Sequence, residues 1–168
     1  MESRPRASRL RTSELFADLN DEEFLQLMRI ARIREMRAGD LVFDVNDPGD
    51  AMYVIEEGNV RTMQVMPDGS REILVNLGPG QVFGEMAMID REPRAARALA
   101  VTAVRLLQID RSAFQALKRC GSSATCKVQR ALAQLLARRL RETNGQIERF
   151  FTDAENSMQY LQSRMKGR

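Results

Sequence analysis

Short apolar segments, separated by turn-forming residues, constrain the fold of this chain more than any other feature. From Ile33 to residue 109, runs of alternating or β-branched residues lie between clusters of Gly, Pro, Asn and Asp. One cluster, Met66-Pro-Asp-Gly-Ser70, predicts a hairpin loop, because Pro presets φ and Gly takes the left-handed position. Segments this short and this alternating favour strands over helices.

The pattern predicts eight strands, at 32–37, 41–44, 51–56, 59–66, 71–77, 82–83, 96–101 and 103–109. Eight short strands at this spacing indicate an antiparallel barrel or jelly roll. Asn20 or Asp21 caps a helix before the barrel, and Asp110 caps a helix over 111–118 after it. The predicted fold class is therefore α+β, an eight-stranded antiparallel β-barrel with N-terminal helices and a long C-terminal helix.

A continuous apolar seam distinguishes the last predicted helix, which begins after a break at Gly121-Ser-Ser123. Its members recur largely at steps of three and four: Val128, Leu132, Leu135, Leu136, Leu140, Thr143, Ile147, Phe150 and Phe151. Gly145 predicts a kink or an end. Because the barrel should not cover a seam this long, we expect a homodimer through residues 124–151. The alternative is a helix that folds back on its own barrel.

The absence of histidine removes several kinds of chemistry from consideration. With His at zero, no Ser-His-Asp triad, no histidine acid–base catalysis and no His-ligated metal are possible. We expect no catalytic residue and no metal site. Cys120 and Cys126 have no second cysteine pair to complete a zinc site and are interpreted as reduced thiols. Without a long apolar run or a signal peptide, a cytoplasmic protein with no membrane span is expected.

The domain organisation follows from composition and pattern. At 168 residues and 43% hydrophobic, the chain accommodates one domain with an appended element. We assign 1–11 to a basic disordered arm, 12–119 to the barrel domain with flanking helices, and 120–168 to a helical segment for dimerisation and output. The arm has four arginines, which favour a solvated terminus; contact with nucleic acid is the weaker alternative.

Residues 82–97 concentrate the side chains that suit a small anionic ligand. Gly84 frees the backbone, Glu85 supplies a carboxylate, and Arg94 follows Pro93 beside two alanines. An arginine fork suits a phosphate, and a carboxylate suits a pair of hydroxyls such as a ribose edge. The alternative is a surface Glu–Arg pair around a turn, which stabilises a protein little.

These residues resemble the cyclic nucleotide-binding domain family, which includes catabolite activator-type regulators and regulatory subunits of cyclic AMP-dependent protein kinase. The resemblance covers roughly residues 15–145. It depends on the glycine-punctuated barrel and on Phe83-Gly-Glu-Met-Ala87 followed by Pro93-Arg-Ala-Ala96, in which Glu85 and Arg94 lie nine residues apart. In that family this segment is the phosphate-binding cassette.

The resemblance implies a role for each matching residue. Glu85, helped by the backbone around Gly84, would hold the ribose 2′-hydroxyl, and Arg94 would pair with the exocyclic oxygens of the cyclic phosphate. Backbone N–H donors at and after a short helix would come from Met86, Ala87, Ala95 and Ala96.

Base selectivity is implied by three further positions. Ala95 lacks the hydroxyl that favours cyclic GMP (cGMP) in some family members, so cyclic AMP (cAMP) is favoured and cGMP stays possible. Thr143 and Asn144 match positions that touch adenine in the dimer helix of catabolite activators; the alternative is polar residues tolerated on the seam. Arg97 departs from the family pattern. Facing inward it would suit a second phosphate and a dinucleotide, but strand alternation favours the outward orientation.

The sequence therefore predicts a non-enzymatic cyclic nucleotide sensor. Too few residues follow Gly145 for a helix-turn-helix domain, so we expect a stand-alone module. Its helices after Asp110 would change position on binding and regulate a separate, unidentified effector protein. The alternative is a structural adaptor with a degenerate pocket that acts through its helical seam. A metal-binding cupin barrel is disfavoured by the absence of histidine.

Overall fold

The structure is a computed structural model that describes residues 10–66 and 69–166. Most of the predicted basic arm lies outside these residues. Three α-helices are described, α1 (Asp21–Ile30), α2 (Arg111–Arg119) and α3 (Ser123–Lys166). Two 3₁₀ helices, Glu14–Phe16 and Met86–Met88, are also present. No helix in the described part of the chain is long and apolar enough to cross a membrane.

Eight antiparallel strands form two four-stranded sheets. In chain order, β1 to β8 are Ala31–Met36, Leu41–Phe43, Ala51–Glu57, Val60–Val65, Arg71–Leu77, Val82–Phe83, Arg97–Ala100 and Val104–Asp110. One sheet has the order β1-β8-β3-β6 and the other β2-β7-β4-β5. Each strand begins and ends within one residue of its predicted bounds. The α+β class with an eight-stranded jelly-roll barrel is thus confirmed.

The barrel core is formed by side chains that both sheets direct inward. Its largest members are Phe43, Tyr53 and Phe83, whose ring centroids lie 5.1 to 6.0 Å apart. They come from strands β2, β3 and β6, which bring together residues that are up to 40 positions apart in the sequence. The aromatic cluster lies under the chain segment that follows β6, which is where the candidate site was predicted.

A capping box begins α1 and resolves the choice between Asn20 and Asp21 in favour of Asn20. The Glu23 N–H donates to the Asn20 side chain at 2.9 Å, and the Asn20 N–H donates to Glu23 Oε2 at 2.9 Å. Glu23 also accepts hydrogen bonds from Lys127 Nζ and Ser123 Oγ, both at 2.7 Å. These donors, Lys127 foremost, lower the pKa of Glu23 to about 2. One carboxylate therefore joins α1 to the start of α3.

The later helices differ from expectation in two details. Asp110 is the N-cap residue of α2, but its side chain makes no cap hydrogen bond and instead accepts from Gln108 Nε2 at 2.7 Å. The helix α3 does not end at Gly145, because it continues to Lys166. A single glycine costs a helix about 1 kcal/mol, too little to end a helix of this length.

The chain divides into two compact units, Met1–Ala131 and Leu132–Arg168. The first contains the barrel, α1, α2 and the beginning of α3. The second is the remainder of α3, and several of its large apolar side chains are exposed: Leu140, Ile147, Phe150 and Phe151. Such exposure agrees with a helix that has a partner surface, but the homodimer through 124–151 stays a prediction.

Candidate functional site

The site begins where β6 ends. Tyr53 of β3 lies opposite Phe83 of β6, and Gly84 then turns the chain with φ at +69°. A Cβ atom on Gly84 would lie 2.7 Å from Arg94 Nη1 and 3.3 Å from Phe43 Cε1. Glycine is therefore required for two reasons, because the backbone is left-handed and because the arginine occupies the space of a side chain.

Arg94 is the central side chain of the site and is only 4% exposed. Its Nη1 donates to the Gly84 carbonyl at 2.9 Å and its Nη2 to the Ala51 carbonyl at 2.7 Å. The guanidinium carbon lies 4.3 Å above the ring centroid of Phe43, which is a cation–π contact. Arg94 Nε is buried and has no hydrogen-bond partner among the described residues.

The charge of Arg94 is only weakly compensated. Burial lowers the pKa of Arg94, and the nearby groups Tyr53, Asp50, Asp47 and Glu85 act in the opposite direction. Asp50 Oδ1 lies 3.6 Å from Arg94 Nη2, but the Asp50 side chain is 76% exposed, so water screens the pair. An arginine remains charged under such conditions. A buried cation of this kind favours the binding of an anion.

Glu85 and the residues after it form the outer part of the site. Glu85 is 3% exposed, Ala87 is buried and Met86 is exposed. The turn is closed by the N–H groups of Met88 and Ile89, which donate to Glu85 and Met86. The helix here is a single 3₁₀ turn, so its dipole is small, and the predicted donors would act as individual N–H groups.

The segment around Arg94 is held by the loop after β2. The Arg94 N–H donates to the Asp47 carbonyl, and the Asn46 N–H donates to the Arg94 carbonyl, each at 2.9 Å. Ala95, which follows, is exposed, and Ala96 is half-buried. Two reciprocal backbone bonds thus position the arginine, and the two residues after it are small.

Arg97 has the outward orientation that strand alternation predicted. In β7 the side chains of Ala98 and Ala100 are buried, and Arg97 lies on the other face. Its Nε donates to Asp44 Oδ1 at 2.8 Å, and a second bond joins Nη2 to Oδ2. This bidentate pair lowers the pKa of Asp44 and raises that of Arg97. In this orientation Asp44 compensates the charge of Arg97, which disfavours a second phosphate site at this residue.

Thr143 and Asn144 lie on α3 in the second compact unit, where both are exposed. The structure therefore brings together the predicted site residues from Gly84 to Ala96 in the first unit. The part that Thr143 and Asn144 play in contacting a base stays a prediction.

The structure adds residues that sequence reasoning missed, because they support Arg94 and do not belong to its segment. Phe43 supplies the ring under the guanidinium, Ala51 a carbonyl and Asp50 a carboxylate. In the sequence, Gly49 and Asp50 directly precede β3, and this Gly-Asp pair was a usable signal for Asp50. Nothing in the sequence marked Phe43, since its contact depends on how β2 pairs with β7.

Fold and site together define a jelly-roll protein that offers a buried arginine and a buried carboxylate at one end of its barrel. Comparison with known proteins extends this description. The family model for the cyclic nucleotide-binding domain matches residues 33–119. The chain therefore belongs to the cyclic nucleotide-binding domain family.

Two curated relatives and one solved structure illustrate the similarity. A CRP-like cAMP-activated global transcriptional regulator of Mycobacterium tuberculosis is 36% identical over 116 residues, which are 68% of this chain and 50% of the regulator. The cyclic AMP receptor protein of Thermus thermophilus is 35% identical over 152 residues, 90% of this chain and 68% of that protein. The crystal structure of a cyclic nucleotide-binding domain from Methylobacillus flagellatus superposes with a TM-score of 0.75 at 28% identity, covering 84% of this chain and 79% of that one. The chain thus spans half the length of the Mycobacterium regulator.

Proposed function

We propose that the protein is a cyclic nucleotide sensor in which Arg94 binds the cyclic phosphate. The observation that supports this proposal is the state of the Arg94 guanidinium. It is buried, its paired carboxylate is exposed, and its Nε has no hydrogen-bond partner among the described residues. An unpaired buried donor is costly, and an anionic oxygen is the partner that would satisfy it at the greatest gain.

The remaining contacts divide between sugar and phosphate. Glu85 accepts hydrogen bonds from the ribose 2′-hydroxyl, since a buried carboxylate prefers a strong donor. The N–H groups of Met86, Ala87, Ala95 and Ala96 add donors, and Gly84 lets the ligand approach the backbone. Relatives whose names include cAMP support the ligand class.

The proposed base preference is cAMP over cGMP. Ala95 lacks the hydroxyl that favours cGMP in some family members, and it directly follows Arg94 in the sequence. Thr143 and Asn144 are proposed to contact the base from α3.

The proposed output is regulatory and non-enzymatic. Nucleotide binding alters the arrangement of the helices after Asp110, and this changes the surface that the protein offers to an effector protein in the cytoplasm. The exposed apolar side chains of the second unit support a homodimer through 124–151.

Calorimetry of the whole chain with cAMP and with cGMP tests the proposal. The wild type should bind cAMP more tightly than cGMP. Arg94→Ala should weaken cAMP binding by roughly 100-fold, because it removes charge-assisted hydrogen bonds. Arg32→Ala is the matched control, since Arg32 is 74% exposed on β1 and should leave the affinity unchanged.

A second function, that of a structural adaptor, has one observation in its favour. Both terminal nitrogens of Arg94 already donate to backbone carbonyls, so the arginine has a structural use without a nucleotide. If calorimetry of the folded protein shows no binding heat with either cAMP or cGMP, the sensor proposal is wrong and the adaptor function takes its place.

A further inference from the structure

Arg111 lies where the candidate site meets the first turn of α2, and two contacts join it to that site. Its Nη1 donates to the Ala87 carbonyl at 3.2 Å, and its backbone N–H donates to the Asp50 carbonyl at 2.7 Å. We infer that Arg111 transmits nucleotide binding from the cassette to α2 and to the start of α3. This inference rests on the proposed function and names a residue that connects the binding site to the helices after the barrel.

The first path passes through Ala87. Its N–H is one of the proposed ligand donors, and its carbonyl accepts the hydrogen bond from Arg111. Ala87 is 4% exposed, and a Cβ added to Gly49 would lie 2.5 Å from its Cβ. Ala87 is closely packed against Gly49 and has little room to move independently of its neighbours. A shift of Ala87 towards a ligand should therefore also change its hydrogen bond to Arg111.

The second path passes through Asp50. Its carboxylate lies 3.6 Å from Arg94 Nη2, and its backbone carbonyl accepts from the Arg111 N–H. A bound phosphate competes with the Asp50 carboxylate for Arg94. The two paths begin at different proposed ligand contacts and converge on Arg111. The first begins at the backbone N–H of Ala87, and the second begins at the Arg94 guanidinium.

The start of α2 depends on these bonds. The N-cap residue Asp110 makes no side-chain cap hydrogen bond, and the N–H of Arg111, the first helical residue, has its partner outside the helix, at the Asp50 carbonyl. From this anchored end α2 runs to Arg119, and Gly121, with φ at +76°, joins it to α3. A change at Arg111 therefore moves a short rigid helix whose other end adjoins the beginning of α3.

The chain contains two native reporters of such a movement. Cys120 is the C-cap residue of α2 and Cys126 lies in the first turn of α3, and both thiols are free and exposed. They are the only cysteines in the sequence. The rate at which a thiol reagent modifies each of them therefore reports on the α2–α3 junction without any added label.

The test compares thiol-modification rates of the full chain with and without saturating cAMP. In the wild type, cAMP should change the rate at Cys120 or Cys126 by about fivefold or more, the usual scale of allosteric coupling. In Arg111→Met, which removes the side-chain bond to the Ala87 carbonyl and keeps the backbone bond to Asp50, the change should fall to about half or less of the wild-type change while calorimetry still shows cAMP binding. Arg111→Lys, which keeps a cationic donor, should recover part of the response. Arg119→Met, in the exposed last turn of the same helix, is the matched control and should respond like the wild type.

The inference is wrong if Arg111→Met retains the wild-type response, or if the wild type binds cAMP with no change at either thiol. Absence of cAMP and cGMP binding by the wild type would overturn the proposed function itself. Arg111→Gln, which is shorter and uncharged, gives the same comparison if the methionine variant does not fold, and it too should reduce the response.

Discussion

Two shielded arginines lie at opposite ends of strand β3, and their surroundings differ. At the first end, Arg94 donates to the Ala51 carbonyl and stacks on an aromatic ring. At the other end, Arg105 pairs with Glu56 and Glu35. Their side chains are 3% and 13% exposed. Burial is thus similar, but only Arg105 forms an ion pair with a buried carboxylate, since the Asp50 carboxylate that pairs with Arg94 is exposed.

This difference shows which charge is available to a ligand. The Glu56 side chain is fully buried, so Arg105 and Glu56 compensate each other within the fold. Arg94 has neutral carbonyl partners and an exposed carboxylate at 3.6 Å. A buried cation whose ion-pair partner is exposed is maintained at a cost, and that cost is recovered when an anion binds. We therefore expect mutations at the Arg105 end to affect stability and mutations at the Arg94 end to affect binding.

The largest effect is expected from Arg105→Met. It leaves Glu56 buried without its cation, which should lower the free energy of unfolding by about 3–5 kcal/mol in urea denaturation. The two ends of β3 are about 16 Å apart at the usual rise per residue, so cAMP affinity of the folded protein should change by less than about twofold.

The control for this variant is Arg130→Met, which removes an exposed ion pair with Asp18 and should cost less than about 1 kcal/mol. A large loss of cAMP affinity in Arg105→Met would show that the two ends are coupled and would remove the contrast between them.

The second prediction concerns Gly84→Ala. The new Cβ would meet Arg94 Nη1 at 2.7 Å, so the guanidinium is displaced and cAMP affinity should fall by about tenfold or more. Gly39→Ala is the matched control, since Gly39 has a similar φ of +89° and no atom within 4 Å of its added Cβ. Both variants should lose roughly 1–2 kcal/mol of stability from the left-handed backbone, but only Gly84→Ala should lose affinity in calorimetry.

Phe43→Leu should have a smaller effect on binding. Leucine keeps an apolar side chain but removes the ring face under Arg94, and a desolvated cation–π contact of this kind should be worth about 3- to 10-fold in affinity. Phe16→Leu is the control, because Phe16 is also buried but belongs to the N-terminal 3₁₀ helix and not to the barrel core cluster that contains Phe43. Equal losses of affinity in the two variants would mean that the ring matters only for general stability.

The smallest effect is expected at Glu23, whose ion pair with Lys127 resembles the Arg105 end. The pKa of Glu23 is lowered to about 2 from 4.5, so its stabilising contribution is present above about pH 4.5 and is lost as the pH falls towards 2. Thermal unfolding of the wild type should therefore occur at progressively lower temperature across this range. Glu23→Gln should show a shallower pH dependence, and Glu22→Gln, at an exposed neighbouring position, should behave like the wild type.

The elements that could be predicted from the sequence are those specified by local patterns. All eight strands follow from alternation between turn signals, because side-chain direction in a strand repeats every two residues. A cap at Asn20 or Asp21 and the break at Gly121-Ser-Ser123 follow from residues within one helical turn of each boundary, and the structure then selects Asn20. The helix does not end at Gly145, because the cost of one glycine is small against the many hydrogen bonds of α3.

The sequence by itself determined the candidate site as a set of residues, since Gly84, Glu85 and Arg94 belong to one short segment with a recognisable order. Only the tertiary structure decided what surrounds them. The Ala51 carbonyl lies 43 positions before Arg94, the Asp44 partner of Arg97 lies 53 positions away, and Arg111 reaches Ala87 from another element. Such contacts depend on strand register and on the packing of one sheet against the other, which no local stretch of sequence specifies.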